Sequence, residues 1–235
     1  MKFKNYNLDT FPYKDQKAGT SGLRKRVSVF EKDKYLENYI QSIFNSNLFN
    51  FSSEIVIGSD GRYFSDKAIL SAVKVCVGNN IKKIYIGKFG YFSTPAVSNF
   101  IRIKKASGGF IFSASHNSGG KKGDFGIKIN SASGAPISQK WVEKIYKESL
   151  RVSNIKYSEI LELNLNEEKL IKINNTKIEI ADPIEDYVNL MKEIFNFELI
   201  KIMFKRKFDY IYVSAGENIC WLLNIRGKDL PNSPI

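Results

Sequence analysis

Histidine is nearly missing from this 235-residue chain, with His116 the only one. Cysteine is almost as scarce: Cys76 and Cys220 lie far apart, and neither belongs to a CxxC pair. Neither a disulfide framework nor a His/Cys zinc site is expected from such a set. No apolar run approaches the roughly 20 residues that cross a bilayer. The opening MKFKNYNLDTFPYKDQ lacks the apolar core and cleavage pattern of a secretory signal. A cytoplasmic protein with no membrane partner is therefore expected. Acidic residues are also in deficit, 24 Asp and Glu against 36 Lys and Arg, for a net charge of +12. These cations fall as singles and pairs, without long basic runs or interleaved aromatics. They read as a solvated surface that draws in anionic metabolites, with no nucleic-acid partner.

What is present is ample core material, including 17 Phe and 12 Tyr in a chain that is 43% hydrophobic. From Lys34 to Leu48 the apolar residues Tyr35, Leu36, Tyr39, Ile40, Ile43, Phe44 and Leu48 recur at helical spacing. SEIVIG (53–58) reads as a buried strand, followed by the turn SDGRYFS and a helix from Asp66 to about Val77. KKIYIGK (82–88) is a second strand, a helix begins near Thr94-Pro95, and GGFIFSA (108–114) is a third strand. GIKIN returns as a short strand, and Pro136 to Leu150 has helical character. Strands alternating with helices of this length predict an α/β/α sandwich around a mostly parallel, mixed sheet. Ligands of such sheets sit at the carboxyl ends of the strands.

That rule singles out FIFSASHNSGGKKGDFGIKIN (110–130), where a strand leaves the sheet through Ser115, His116, Asn117 and two glycines. A serine accepts or donates phosphate when its oxygen stands exposed on a tight loop, backed by donors and a proton carrier. Lys128 is near enough in sequence to fold back as that carrier. By themselves these residues favour a tight structural turn, since a lone Ser-His pair is a weak motif.

Five blocks in order change the reading: KAGTSGLRKRV (17–27), GSDGRY (58–63), STPAVS (93–98), SASHN (113–117) and GDFGIK (123–128). Over about residues 5–200 the chain resembles the phosphohexomutases, and within them phosphoglucomutase and parafusin. The resemblance implies that Ser115 carries a phosphate and exchanges it with glucose 1-phosphate and glucose 6-phosphate through glucose 1,6-bisphosphate, with Mg²⁺. It implies Lys128 as general acid or base and His116 as an aid at the substrate hydroxyl. Thr20, Ser21, Gly22, Arg24, Asn117 and Arg62 would hold phosphate and substrate, while Arg26 reads as a surface cation. A phosphosugar partner and a monomeric state are expected.

Departures from the family pattern are equally informative. Ser113 and Ser118 stand where threonine and proline flank the family's serine motif. The Asp-Gly-Asp-Gly-Asp-Arg type run that supplies the family's metal ligands is nowhere in the sequence, so Ser115 is the one metal contact expected, through its phosphate. The sugar-recognition run of Gly-Glu-Glu-Ser type is missing too. The expected plan is a first domain over 1–160, a linker over 161–182, and the incomplete start of a second, similar domain over 183–235. That last stretch holds an amphipathic helix from Pro183 to Leu199, a strand FDYIYV (208–213) and a tail that departs from the family. A truncated, inactive chain is the leading expectation, and a phosphate-responsive binding protein of parafusin type is the alternative.

Overall fold

The computed structural model of the protein describes residues 2–19 and 21–205. Its elements run β1 (Asn5–Asp9), β2 (Leu23–Arg26), α1 (Val27–Phe30), α2 (Tyr35–Asn45), β3 (Glu54–Ser59), α3 (Ser65–Gly78) and β4 (Lys83–Tyr91). There follow α4 (Thr94–Lys104), β5 (Gly108–Phe112), β6 (Asp124–Ser131), α5 (Gln139–Ser149), β7 (Asn154–Ser158), β8 (Lys169–Ile173) and β9 (Thr176–Ala181). Two further helices are α6 (Glu185–Ile194) and α7 (Phe197–Lys205).

A seven-stranded sheet runs in the order β2-β6-β5-β3-β4-β9-β8. Its centre, β5-β3-β4-β9, is parallel, and the outer strands β6, β2 and β8 pair antiparallel. Side chains alternate between the two faces as strand geometry demands. Ile55 and Ile57 of β3, Ile84 and Ile86 of β4, and Phe110 and Phe112 of β5 enter the larger core with α2 and α3. Val56, Tyr85 and Ile111 enter a smaller core on the opposite face, under α4. This is the expected α/β/α sandwich. Burial on both faces explains why these strands read as unbroken apolar runs.

The helices follow the predicted spacing closely. Tyr35, Leu36, Tyr39, Ile40, Ile43 and Phe44 of α2 are all buried. Helix α4 starts as the Thr94-Pro95 signal predicts, with the Ser93 side chain accepting from Ala96 N at 3.3 Å as its N-cap.

Beyond α5 the expectations need correction. After Leu150 comes β7, a strand the sequence reading did not name, which pairs antiparallel with β1 in a separate two-stranded sheet. Val152, Ile155 and Ile160 are buried, and Gln41 Oε1 accepts from Lys156 N at 3.0 Å. Residues 161–182, expected to be a linker, hold the β8–β9 hairpin, and β9 extends the central sheet in parallel beside β4. The predicted helix from Pro183 to Leu199 is two helices, interrupted between Ile194 and Phe197. The predicted strand 208–213 lies outside the described residues. Two compact units divide the chain at Met1–Asn189 and Leu190–Ile235.

Candidate active site

Three turns open at the carboxyl ends of β3, β4 and β5, and the Ser115 loop follows β5. Ser115 adopts a left-handed backbone, φ 54°, a conformation that disfavours a residue with a Cβ. A hydrogen bond from its own N–H to Ser113 Oγ, 3.0 Å, holds it there. The Ser113 hydroxyl, kept where the resembled family has threonine, thus has a defined task. The result presents the Ser115 side chain to solvent at the strand end.

Two cations converge on the Ser115 hydroxyl. Arg24 Nη2 donates to Ser115 Oγ at 2.8 Å and Lys128 Nζ donates to the same atom at 2.9 Å. Local sequence explains both placements. On β6, Phe125, Ile127 and Ile129 point into the larger core, so the alternation turns Lys128 to the other face. Arg24 of β2 lies opposite Gly126 of β6. A Cβ at Gly126 would stand 2.5 Å from Ser113 O and 3.1 Å from Arg24 Cγ, so glycine lets both the Ser113 backbone and the arginine stem lie close. Gly22, at φ 89°, is more tightly constrained, because a Cβ there would meet Ile127 O at 2.3 Å. Reciprocal hydrogen bonds of 3.1 Å between Gly19 and Gly22 close that turn.

The ammonium of Lys128 loses its proton more readily than an ordinary lysine's. Burial disfavours its charge most, the Arg24 and Arg62 guanidiniums add repulsion, and Asp60 partly offsets them. Beneath Ser115 lies a cavity of about 330 Å³, bordered by Ser21, Gly22, Arg24, Thr94, Ser98 and Lys128 among others. Arg24 Nε is buried there without a protein acceptor.

Of the expected site residues, Ser115, Arg24, Lys128, Ser21 and Gly22 come together around this cavity. Thr20 lies outside the described residues. His116 is exposed and makes no hydrogen bond among the described residues. Asn117 faces the loop itself, donating from Nδ2 to Asp124 Oδ2 at 2.8 Å. Arg62 commits Nε to Asp60 and its two terminal nitrogens to the carbonyls of Asp124 and Ser115, at 2.8 and 3.0 Å. Arg26 is a surface cation, paired with Asp124 at 3.5 Å and 64% exposed. Sequence reasoning passed over Asp60 and Asp124. Their signal was present in the Asp-Gly-Arg turn and in the carboxylate that opens GDFGIK.

Among the described residues no group of three or more His, Cys, Asp or Glu side chains is placed to hold a metal. The residues around Ser115 are cationic, so they do not by themselves fit Mg²⁺.

A family model described as phosphoglucomutase/phosphomannomutase, alpha/beta/alpha domain I, matches residues 15–156. A second, the creatinase/prolidase N-terminal domain, matches residues 197–235, most of them outside the described region. The chloroplastic phosphoglucomutase of Arabidopsis thaliana is 44% identical over 217 residues, covering 89% of this chain and 35% of the relative. The phosphoglucomutase of Schizosaccharomyces pombe is 42% identical over 207 residues, covering 88% of this chain and 37% of the relative. Among solved structures, the exocytosis-sensitive phosphoprotein pp63/parafusin (phosphoglucomutase) from Paramecium, in an open form, matches with a TM-score of 0.80 and 35% identity. That match covers 86% of this chain and 39% of the other. The chain thus spans about a third of the length of the curated relatives it matches.

Proposed function

Because the chain belongs to the phosphoglucomutase/phosphomannomutase family, we propose that it carries the phosphoryl-transfer serine of a phosphoglucomutase. Such an enzyme would interconvert glucose 1-phosphate and glucose 6-phosphate through glucose 1,6-bisphosphate in the cytoplasm. The observation that carries this reading is the convergence of Arg24 and Lys128 on Ser115 Oγ, at 2.8 and 2.9 Å. Two cations on one neutral hydroxyl are poorly matched until a dianionic phosphate is attached.

In the transfer, the bond between phosphorus and Ser115 Oγ breaks as a bond to the free sugar hydroxyl forms. Oγ leaves with negative charge, which Arg24 stabilises and Lys128 quenches by passing it a proton; the sugar hydroxyl's proton is released on the far side of the phosphorus. The lowered proton affinity of Lys128 suits it as the acid of this step. In the reverse direction Lys128 takes the proton back. Positioning and charge neutralisation dominate such transfers. The spare Arg24 Nε and Ser21, in the turn whose Gly22 N–H is already given to Gly19 O, would supply further donors for phosphate oxygens. Mg²⁺, when bound, would neutralise phosphoryl charge. This chain's described residues offer it the Ser115 phosphate oxygens and no carboxylate cluster.

Incubation of the chain with glucose 1,6-bisphosphate and Mg²⁺, read by mass spectrometry, tests the proposal. Phosphate on Ser115, without sustained mutase turnover by this chain alone, is the expected result. Phosphate confined to other residues, or none at all, overturns it. A second reading, a phosphate-responsive binding protein, takes its support from the likeness to the Paramecium phosphoprotein. In that case Ser115 would be phosphorylated by a cellular kinase and remain inert towards the bisphosphate.

A further inference from the structure

We propose that Arg62 is a positioning residue for the Ser115 loop, a three-point clamp that fixes the loop to the end of the sheet without touching the reacting oxygen. The inference rests on the phosphoserine reading above. The Arg62 side chain is only 9% exposed, although it sits in a surface turn. Nε donates to both oxygens of Asp60, at 3.0 and 2.9 Å. Nη1 donates to Asp124 O at 2.8 Å and Nη2 to Ser115 O at 3.0 Å.

These two carbonyls are the two ends of the loop, since Ser115 opens it and Asp124 begins β6. Between them, Gly119 and Gly120 have no neighbour that an added Cβ would touch. The loop's inner shape comes from its own hydrogen bonds, Gly123 N to Gly120 O at 2.9 Å and Asp124 N to Ser118 O at 2.8 Å, so its placement above the sheet depends on ties to the rest of the protein such as those Arg62 makes. The clamp is itself anchored, because Asp60 N donates to Phe112 O, the last residue of β5, at 3.1 Å. A chain of contacts thus runs from the end of β5 through Asp60 and Arg62 to the Ser115 carbonyl. It sets the height of the left-handed Ser115 above the sheet, and with it the approach of Oγ to Arg24 and Lys128. The Asp60 carboxylate also balances the Arg62 charge, so the clamp orders the loop while adding little net charge beside two other cations. Lysine would keep the charge but lose the planar fork that reaches two carbonyls and a carboxylate together.

The test uses the full chain with Arg62→Lys, Arg62→Ala and Asp60→Asn. Amide hydrogen exchange by NMR compares Ser115, whose N–H is tied to Ser113, with Phe110 and Phe112 inside the sheet. In Arg62→Lys the Ser115 amide is expected to exchange at least about tenfold faster while the strand amides stay within about twofold, the pattern of local opening. Asp60→Asn is expected to shift it in the same direction by less. In Arg62→Ala, guanidinium ion at low, non-denaturing concentration is expected to slow the Ser115 amide again, which restoration of general stability would not do. Unchanged Ser115 exchange in both Arg62 variants, or equal acceleration of loop and strand amides, overturns the clamp. Should Arg62→Lys not fold, Asp60→Asn decides by the same comparison. Failure of the wild-type chain to take phosphate from glucose 1,6-bisphosphate would sink the phosphoserine reading alone, because the exchange comparison needs no phosphate.

Discussion

Lys128 Nζ stands 2.9 Å from Ser115 Oγ across the mouth of the cavity, on a strand whose alternate residues are core. The register of β6 fixes the face from which Lys128 leaves the strand, so its side chain starts out towards the cavity and Ser115.

The first prediction concerns proton binding. Burial and the Arg24 and Arg62 charges lower the Lys128 pKa. Deprotonation should therefore occur below the usual lysine range, and phosphoryl donation from phospho-Ser115 should lose its acid as pH rises through that lowered value. Because the folded state binds this proton less tightly than the unfolded one, stability should rise with pH between the lowered value and the ordinary one. Lys128→Met should remove that slope. Arg24→Ala should move the titration upward, measured by NMR of the lysine side chain.

A second prediction separates backbone from side chain at Ser115. At φ 54° glycine is favoured over alanine by about 1 kcal/mol. Ser115→Gly should therefore be more stable than Ser115→Ala in chemical denaturation, while both lose phosphate acceptance. Equal stability would argue against the left-handed conformation.

Gly22→Ala is expected to cost about 2 to 4 kcal/mol through a strained backbone and displaced strand. A Cβ there would lie 2.3 Å from Ile127 O at φ 89°, and pushing β2 from β6 moves Arg24 off Ser115. Denaturant melts and the phosphorylation rate should both register the change.

Phe125 packs its ring against Phe30, Phe64 and Phe112, with centroids 5.1, 5.1 and 5.8 Å away. Phe125→Ala is expected to destabilise by about 3 to 5 kcal/mol, the usual cost of emptying an aromatic core position. Urea unfolding measures it.

Much of this was legible in the sequence because apolar spacing is a local signal. The burial of Tyr35, Leu36, Tyr39, Ile40, Ile43 and Phe44 follows from recurrence at three and four. The strands 154–181 were harder to read, because Asn, Glu and Lys fill their outward positions. Yet TKIEIA alternates, with Ile178 and Ile180 buried. Asn174 at φ 51° takes the left-handed turn that joins β8 to β9. Closer weight on period-two alternation around Asn174-Asn175 would have exposed the hairpin.

The sequence by itself determined the layered fold and the loop that bears Ser115, and its resemblance to the phosphohexomutases pointed to Arg24 and Lys128, the two cations that contact the Ser115 hydroxyl. Only the tertiary structure decided that Arg62 grips the loop's carbonyls, that His116 stands apart, and that residues 154–181 complete the sheets. Those outcomes depend on distant strands meeting, as when Asp60 reaches Phe112 O at 3.1 Å. Local spacing carries no record of which strand becomes the neighbour of which.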